Sequence, residues 1–325
     1  MVIGCMLNCR EYEKERLLRS VSPDNIMFFF NDESELLKSA LLDKIEVMVG
    51  VPSIESVQKM KNLKWLQMTW AGTDIYTAVP VFPDNVILTN ATGAFGKVIS
   101  EYIIAGILAM YRKLFDYRNE MIHGEWEYLP GEQTLEGKTA LILGAGDIGC
   151  ETARKLKAFD VTTWGIRRVV REKPACFDEM HTMDELDNLL PEADLIIATL
   201  PGTSETAGLL SGERLLKMKK NAFLVNTGRG SLIPCDELVN VLNTGHLGGV
   251  LLDVTETEPL PATHPLRSFD RVMITPHISG ISWGSLSGTR NKIIDICCDN
   301  LIRYQKGQAL NNIVDKELGY RMTHR

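Results

Sequence analysis

The sequence lacks the features that mark nucleic-acid-binding and membrane-spanning proteins. Its 325 residues carry 35 Lys and Arg against 42 Asp and Glu, a net charge of −7, so there is no basic excess for a phosphate backbone. The longest apolar stretch, residues 103–110, is far shorter than the roughly 18 residues that a membrane-spanning helix needs. We therefore expect small molecules as ligands, and neither nucleic acid nor a membrane as a partner.

Patterns of metal-binding and secreted proteins are also missing. The seven cysteines are an odd number without a pair of Cys-x-x-Cys motifs, which favours reduced thiols, and no two of the six histidines have the spacing of metal ligands. The first ten residues have no basic segment before their apolar start and run into a charged stretch, unlike a secretory signal. We predict a cytoplasmic protein without a metal site.

Short apolar segments alternate with helix-like segments along the whole chain. The first series comprises residues 2–7, 26–30, 45–51, 63–68 and 86–88. The second comprises residues 140–143, 161–166, 195–200, 222–225, 250–252 and 272–274. Continuous Val, Ile and Leu runs separated by helices are typical of parallel sheets covered on both faces. The pattern predicts an α/β protein with two doubly wound parallel sheets.

A glycine pattern, G-x-G-x-x-G, lies between the apolar segment 139–143 and the helix-like segment 150–159. In that context the first glycine permits a tight turn, the second lets backbone approach a pyrophosphate, and the third allows close helix–strand packing. The predicted cofactor-binding residues of this loop are Gly144, Gly146, Asp147, Ile148 and Gly149. The alternative is an ordinary glycine turn in which Asp147 caps the helix.

Two arginines stand where NAD-binding proteins carry an acid. An Asp or Glu that accepts the ribose hydroxyls is expected about 20 residues after the glycine loop, at the end of the next strand. This chain has Arg167 and Arg168 there. Guanidinium groups can grip a ribose 2′-phosphate through charge-assisted hydrogen bonds. We therefore predict NADP(H) as the preferred cofactor and NAD(H) as the second choice, the alternative being a solvated basic turn.

Two apolar helices, at residues 98–114 and 286–304, set the predicted domain organisation. We expect the first to be almost fully buried and to join the domains, and the second to return to the first domain. Residues 1–97 and 288–325 are then a substrate domain, and residues 98–287 a dinucleotide-binding domain. Both are predicted to be Rossmann-like or flavodoxin-like parallel sheets, separated by a cleft that holds the ligand site.

Three polar residues, Arg229, Glu258 and His277, follow three of the later apolar segments, where doubly wound sheets bind ligands. Next to a nicotinamide, Arg229 can hold a substrate carboxylate and polarise its keto oxygen. His277 can donate a proton to that oxygen, and Glu258 within reach can stabilise the imidazolium. The trio predicts reduction of a 2-oxo acid, although each residue taken alone has an ordinary structural explanation.

Six ordered motifs resemble the NAD(P)-dependent D-2-hydroxyacid dehydrogenase family over nearly the whole chain. They are the glycine loop and the segments 200–206 (LPGTSET), 226–230 (NTGRG), 252–254 (LDV), 258–260 (EPL) and 275–280 (TPHISG). The resemblance implies that Arg229 binds substrate, that Glu258 orients His277 and that His277 is the acid/base. The arginine pair resembles the NADP-preferring, glyoxylate/hydroxypyruvate reductase-like branch.

Further binding residues are implied by the same resemblance. The implied cofactor-binding residues outside the glycine loop and the arginine pair are Leu200, Pro201, Thr206, Thr227, Asp253 and Gly280, with Asp253 against the nicotinamide carboxamide. The implied substrate loop contains Trp70, Ala71 and Gly72, where backbone amides near residues 71 and 72 receive the substrate carboxylate. Family members are usually homodimers through the cofactor domain. The helix at 98–114 would suit such a surface, unless it is simply a core helix.

The predicted activity is reduction of a small 2-oxo acid to the D-2-hydroxy acid with NADPH. Two other functions fit the same sequence. One is oxidation of a small anion such as formate or phosphite by the same dinucleotide. The other is a dinucleotide-sensing interaction protein, because the family resemblance extends to transcriptional co-repressors with this fold.

Overall fold

The chain divides into two units. The computed structural model describes residues 1–78, 81–170, 172–280 and 287–321. Of these, the residues within Met1–Phe95 and Ser282–Arg325 form the first unit, and those within Gly96–Ile281 form the second. Across the described ranges, every helix is too short or too polar to cross a membrane.

The first unit contains a five-stranded parallel sheet. Its strands are β1 (Val2–Met6), β2 (Ile26–Phe29), β3 (Val47–Gly50), β4 (Trp65–Gln67) and β5 (Ile87–Thr89). They pair in the order β2-β1-β3-β4-β5, which is the flavodoxin-like arrangement. The helices between them are α1 (Glu11–Arg19), α2 (Glu33–Lys38), α3 (Ile54–Lys59) and α4 (Asp74–Thr77). The predicted parallel sheet is confirmed.

The second unit contains a seven-stranded parallel sheet. Its strands are β6 (Thr139–Leu143), β7 (Thr162–Ile166), β8 (Glu179–His181), β9 (Leu195–Ala198), β10 (Phe223–Asn226), β11 (Gly249–Leu252) and β12 (Val272–Ile274). They pair in the order β12-β11-β10-β9-β6-β7-β8. The direction of winding reverses between β6 and β9, which makes a Rossmann-type switch point where ligands bind beyond the strand ends. The sequence does not predict β8, because Glu179, Met180 and His181 do not form an apolar run.

The described residues of the second unit form six α-helices, the first of which is shorter and more exposed than the sequence predicts. They are α5 (Gly96–Tyr111), α6 (Leu114–His123), α7 (Asp147–Lys157), α8 (Leu186–Leu189), α9 (Gly212–Lys217) and α10 (Cys235–Asn243). The helix predicted at 98–114 ends at Tyr111, because Lys113 has φ 53° and cannot continue an α-helix. Nor is α5 almost fully buried, since Glu101 and Ala105 are exposed.

The chain then adds its last elements to the first unit. These are α11 (Ser287–Gln305) and two short antiparallel strands, β13 (Val314–Asp315) and β14 (Tyr320–Arg321). Ile293, Ile294 and Leu301 of α11 are buried in the same core as Ile3 and Val47. The predicted helix start at residue 286 lies outside the described residues.

Candidate active site

Loops that follow successive strands of the second sheet contact one another along its carboxyl edge. Thr199 Oγ1, after β9, donates to the carbonyl oxygen of Gly144, after β6, at 2.9 Å. A Cβ atom at Gly228, after β10, would lie only 2.5 Å from the carbonyl oxygen of Leu200, and one at Gly230 would collide with the carbonyl of Thr255, after β11. Side chains therefore cannot be added at these two glycines without separating the loops.

The three glycines of the loop after β6 have three different environments. Gly144 has φ 103°, a conformation that favours glycine. A Cβ at Gly149 would collide with the carbonyl oxygen of Gly144, so this glycine allows α7 to pack closely. A Cβ at Gly146 would meet no atom within 4 Å. Open space at the second glycine, at the start of an eleven-residue helix, fits the approach of a pyrophosphate.

Asp147 and Ile148 form the first turn of α7. The Asp147 carboxylate does not cap its own helix: Oδ2 accepts the backbone N–H of Gly96, at the start of α5, at 2.8 Å. This contact ties the glycine loop to α5. The Ile148 carbonyl accepts the hydroxyl of Thr152 at 2.8 Å within α7. These contacts are structural, and the predicted cofactor role of both residues stays a prediction.

The two arginines after β7 have different environments. The guanidinium of Arg167 donates through Nε and Nη2 to the carbonyl oxygen of Ala145, inside the glycine loop, at 2.9 and 2.5 Å. Arg168 is exposed. The structure thus brings Arg167 to the glycine loop, where part of its donor capacity is used by a backbone carbonyl, and its predicted role toward a 2′-phosphate stays a prediction.

A buried asparagine shapes the loop that carries Arg229. Asn226, the last residue of β10, is fully buried. Its Nδ2 donates to the carbonyl of Arg229 at 2.9 Å, and its Oδ1 accepts the backbone N–H of Gly228 at 3.1 Å. The guanidinium of Arg229 donates to the carbonyl of Gly228 at 2.9 Å. Thr227 between them is buried and its hydroxyl donates to the carbonyl of Ala198 at 3.4 Å.

His277 and Glu258 contact each other directly. Nδ1 of His277 lies 2.9 Å from Oε2 of Glu258, and the other carboxylate oxygen accepts the backbone N–H of Thr255 at 3.1 Å. The side chains are 51% and 40% exposed, so both remain accessible to a ligand. The structure therefore brings these two predicted residues together. Gly230, next to Arg229, packs against the backbone of Thr255, whose N–H donates to Glu258.

The carboxylate of Asp253 holds the loop that carries His277. Asp253 is 1% exposed. Its Oδ1 accepts the hydroxyl of Thr275 at 2.6 Å and the backbone N–H of Ile278 at 2.8 Å, and its Oδ2 accepts the N–H of Ser279 at 2.9 Å. Its carbonyl accepts the N–H of His277 at 2.9 Å. The motifs in the sequence do not reveal this role, which emerges only when β11 and β12 are neighbours.

The remaining predicted cofactor residues occupy the same edge. Leu200, Pro201 and Thr206 are half-buried after β9, and the hydroxyl of Thr206 donates to the carbonyl of Pro201 at 2.7 Å, which closes a tight turn. Gly280 is half-buried and follows Ser279. Leu200, Pro201 and Thr206 follow β9, next to the switch point between β6 and β9 where a doubly wound sheet binds its ligand, whereas Gly280 follows β12.

The predicted substrate loop lies in the first unit, directly after β4. Trp70 is 46% exposed, and Ala71 and Gly72 are half-buried. The carbonyl of Trp70 accepts the backbone N–H of Ala91 at 2.9 Å, and the carbonyl of Ala71 accepts Nδ2 of Asn90 at 2.7 Å. Asn90, which the sequence analysis misses, therefore helps to hold this loop.

Comparison with known proteins points to one family. The family model described as D-isomer specific 2-hydroxyacid dehydrogenase, NAD binding domain, matches residues 104–279. The glyoxylate reductase of Thermofilum pendens is 31% identical over 321 residues, covering 94% of this chain and 85% of that protein.

Solved structures agree with this match. A D-isomer specific 2-hydroxyacid dehydrogenase family protein from Aeromonas salmonicida aligns with a TM-score of 0.86 at 31% identity, covering 97% of this chain and 99% of the other. The NADPH-dependent glyoxylate/hydroxypyruvate reductase of Sinorhizobium meliloti, in complex with NADP and sulfate, aligns with a TM-score of 0.82 at 25% identity, covering 98% and 99%.

Two alanine substitutions in the glycine loop are expected to separate folding from cofactor binding. Gly149→Ala should lower the free energy of unfolding by about 1–3 kcal/mol, because its Cβ collides with backbone. Gly146→Ala should change it by less than about 0.5 kcal/mol but weaken NADPH binding, because its Cβ enters the open space. Urea unfolding and NADPH fluorescence titration measure the two effects. NADPH affinity unchanged in Gly146→Ala would contradict the assignment of a pyrophosphate to this loop.

Proposed function

Because this chain belongs to the family of D-isomer specific 2-hydroxyacid dehydrogenases, we propose that it reduces a small 2-oxo acid to the D-2-hydroxy acid with NADPH. The protein is an oxidoreductase with a nicotinamide dinucleotide-binding domain. The observation that carries the proposal is the 2.9 Å contact between His277 and Glu258, on the sheet edge that also bears the glycine loop and Arg229. Glyoxylate and hydroxypyruvate are the first substrates to test, because relatives are named for them.

The chemistry needs one group for the substrate carboxylate and one for the proton. Arg229 is proposed to bind the carboxylate and to stabilise negative charge that develops on the keto oxygen. His277 is proposed to donate a proton from Nε2 to that oxygen, since Nδ1 already contacts Glu258. Glu258 stabilises the imidazolium and keeps the ring oriented. A bound reduced nicotinamide supplies the hydride. In the reverse direction the neutral imidazole accepts the hydroxyl proton.

The cofactor is proposed to bind along the carboxyl edge of the second sheet. The glycine loop would hold the pyrophosphate, and Arg167 with Arg168 would hold the 2′-phosphate of NADPH. Support comes from the open space at Gly146 and from the position of the Arg167 guanidinium on the Ala145 carbonyl. The other proposed contacts are Asp147, Ile148, Leu200, Pro201, Thr206, Thr227, Asp253 and Gly280.

The loop after β4 is proposed to bind the substrate carboxylate through backbone amides at Ala71 and Gly72, next to Trp70. Its support is twofold. The loop follows the carboxyl end of a parallel strand, where α/β sheets bind ligands, and its carbonyls are engaged by Asn90 and Ala91. The carbonyl contacts hold the backbone of the loop in one conformation.

We expect His277→Ala to lower kcat for 2-oxo acid reduction by about 10²–10⁴-fold, because general acid catalysis contributes this much. The dissociation constant for NADPH should change less than about twofold, since surface substitutions that leave a ligand's contacts intact cost less than about 0.5 kcal/mol. Steady-state kinetics and fluorescence titration measure the two quantities. His123→Ala, which removes an exposed histidine on α6, is the control. Turnover by His277→Ala at the wild-type rate would remove the proton-donor role.

Substitution of Arg167 and Arg168 tests the proposed preference for NADPH over NADH. Arg167→Asp and Arg168→Asp should each lower the ratio of kcat/KM for NADPH to that for NADH by at least about tenfold, because each loses a charge-assisted bond to the phosphate. Arg167→Asp should also weaken NADH binding, since it releases the Ala145 carbonyl. Arg154→Asp on α7 is the control for a change of surface charge. A ratio unchanged in both variants would show that these arginines do not read the phosphate.

We also propose a homodimer, and α6 is a better candidate for its surface than α5. The large apolar residues Ile99, Ile103, Ile104, Ile107 and Tyr111 of α5 are buried. In contrast, α6 and the segment after it expose a group of large apolar side chains, namely Leu114, Phe115, Met121, Ile122 and Trp126. Burial of such a patch in a second copy is favourable. Light scattering should report twice the 36.4 kDa chain mass, and Met121→Asp should halve it. A wild-type monomer would contradict the proposal.

A further inference from the structure

Two hydroxyl groups link α5 to the buried carboxylate of Asp253. The hydroxyl oxygen of Tyr102, on α5, lies 2.5 Å from Oγ1 of Thr275. That Oγ1 lies 2.6 Å from Oδ1 of Asp253. Thr275 follows β12 and Asp253 follows β11, so the chain of hydroxyls joins three separate elements of the second unit. Neither Tyr102 nor Thr275 has a role in the chemistry proposed above.

The direction of both hydrogen bonds follows from the groups themselves. A carboxylate can only accept, so the single hydroxyl proton of Thr275 points to Asp253. The Thr275 oxygen can then only accept from Tyr102, which makes the phenol the terminal donor. Burial raises the pKa of Tyr102 to about 12, so the phenol keeps its proton at any ordinary assay pH. The resulting order is Tyr102 to Thr275 to Asp253.

The acceptor at the end of this chain holds the backbone of the proposed acid/base. His277 has φ 55°, a left-handed conformation that is uncommon for residues with a Cβ. Three consecutive backbone N–H groups, those of His277, Ile278 and Ser279, donate to oxygens of Asp253. Rotation of the Asp253 side chain would release two of them. The hydroxyl of Thr275 is the only side-chain donor to this carboxylate among the hydrogen bonds of the described residues.

We infer that Thr275 and Tyr102 are positioning residues for His277: their hydroxyls fix the Asp253 carboxylate, which fixes the loop that holds the imidazole against Glu258. This inference rests on the proposed role of His277. Thr275 acts directly on Asp253, and Tyr102 acts through Thr275 by keeping the threonine proton directed at the carboxylate. Neither residue needs to touch substrate or cofactor for this effect, because a small displacement of a catalytic group is enough to slow a reaction.

Kinetics of paired variants test the inference. Thr275→Val keeps the shape of the side chain and removes the hydroxyl, and it should lower kcat about 10- to 100-fold while the dissociation constant for NADPH stays within about twofold. Thr275→Ser restores the hydroxyl and should recover kcat to within about threefold of wild type. Tyr102→Phe should lower kcat by roughly three- to tenfold. Tyr111→Phe, which removes the phenol hydroxyl of a buried tyrosine at the far end of the same helix, should have no effect.

A readout independent of turnover separates this inference from the proposed function. In protein labelled with ¹⁵N-histidine, the His277 signals are identified by their loss in His277→Ala. The Nδ1 shift typical of a hydrogen bond to a carboxylate should be present in wild type and Thr275→Ser, and lost or broadened in Thr275→Val. If this pattern appears but no 2-oxo acid is reduced, the proposed function fails and the positioning role stands.

Two results would overturn the positioning role. One is a Nδ1 signal in Thr275→Val identical to that of wild type, whatever the activity. The other is a folded Thr275→Val enzyme with wild-type kcat. If Thr275→Val does not fold, the comparison of Tyr102→Phe with Tyr111→Phe replaces it. A lower kcat and an altered Nδ1 signal in Tyr102→Phe alone would support the positioning role. Equal behaviour of the two variants would refute it.

Discussion

The common direction of the seven strands in the second sheet is the constraint on which the candidate active site depends. Parallel strands end at the same edge, so residues as distant along the chain as Gly144 and His277 follow strands of one sheet at one edge. Glycines at 228 and 230 then allow neighbouring loops to touch backbone to backbone. A strand of opposite direction would carry its loop to the other edge and break this series of contacts.

Along that edge, the buried polar groups hold the loops in place, and the exposed polar groups can contact a ligand. Asp253 and Asn226 are buried, with their polar atoms hydrogen-bonded to the loops that carry His277 and Arg229. Leaving one such buried group without its partner costs about 1–3 kcal/mol, so each favours a single loop conformation. His277 and Glu258 are half-exposed and can meet a ligand. The buried groups thus supply the geometry, and the exposed ones are free for the proposed chemistry.

Much of this arrangement is predictable from the sequence, because it depends on local patterns. Apolar runs such as 195–200 predict strands, and the order of glycines in the loop predicts the environments observed at Gly146 and Gly149. The Glu258–His277 contact follows from both residues coming after parallel strands. In contrast, β8 has no apolar run, and the break at Lys113 depends on a single backbone angle. The contacts of Tyr102, Asn226 and Asp253 depend on which strands and helices are neighbours, and sequence periodicity does not contain that information.

The central claim is that this edge of the sheet performs hydride chemistry on a 2-oxo acid and does not merely bind a dinucleotide. The most direct test measures initial rates with NADPH and NADH against a panel of 2-oxo acids that includes glyoxylate and hydroxypyruvate. A separate arm measures the reduction of NADP⁺ and NAD⁺ by formate. The account predicts that NADPH is consumed in equal amount to a hydroxy acid formed, of D configuration where the product is chiral. Tight NADPH binding without turnover of any oxo acid, or NADP⁺ reduction by formate alone, would contradict it.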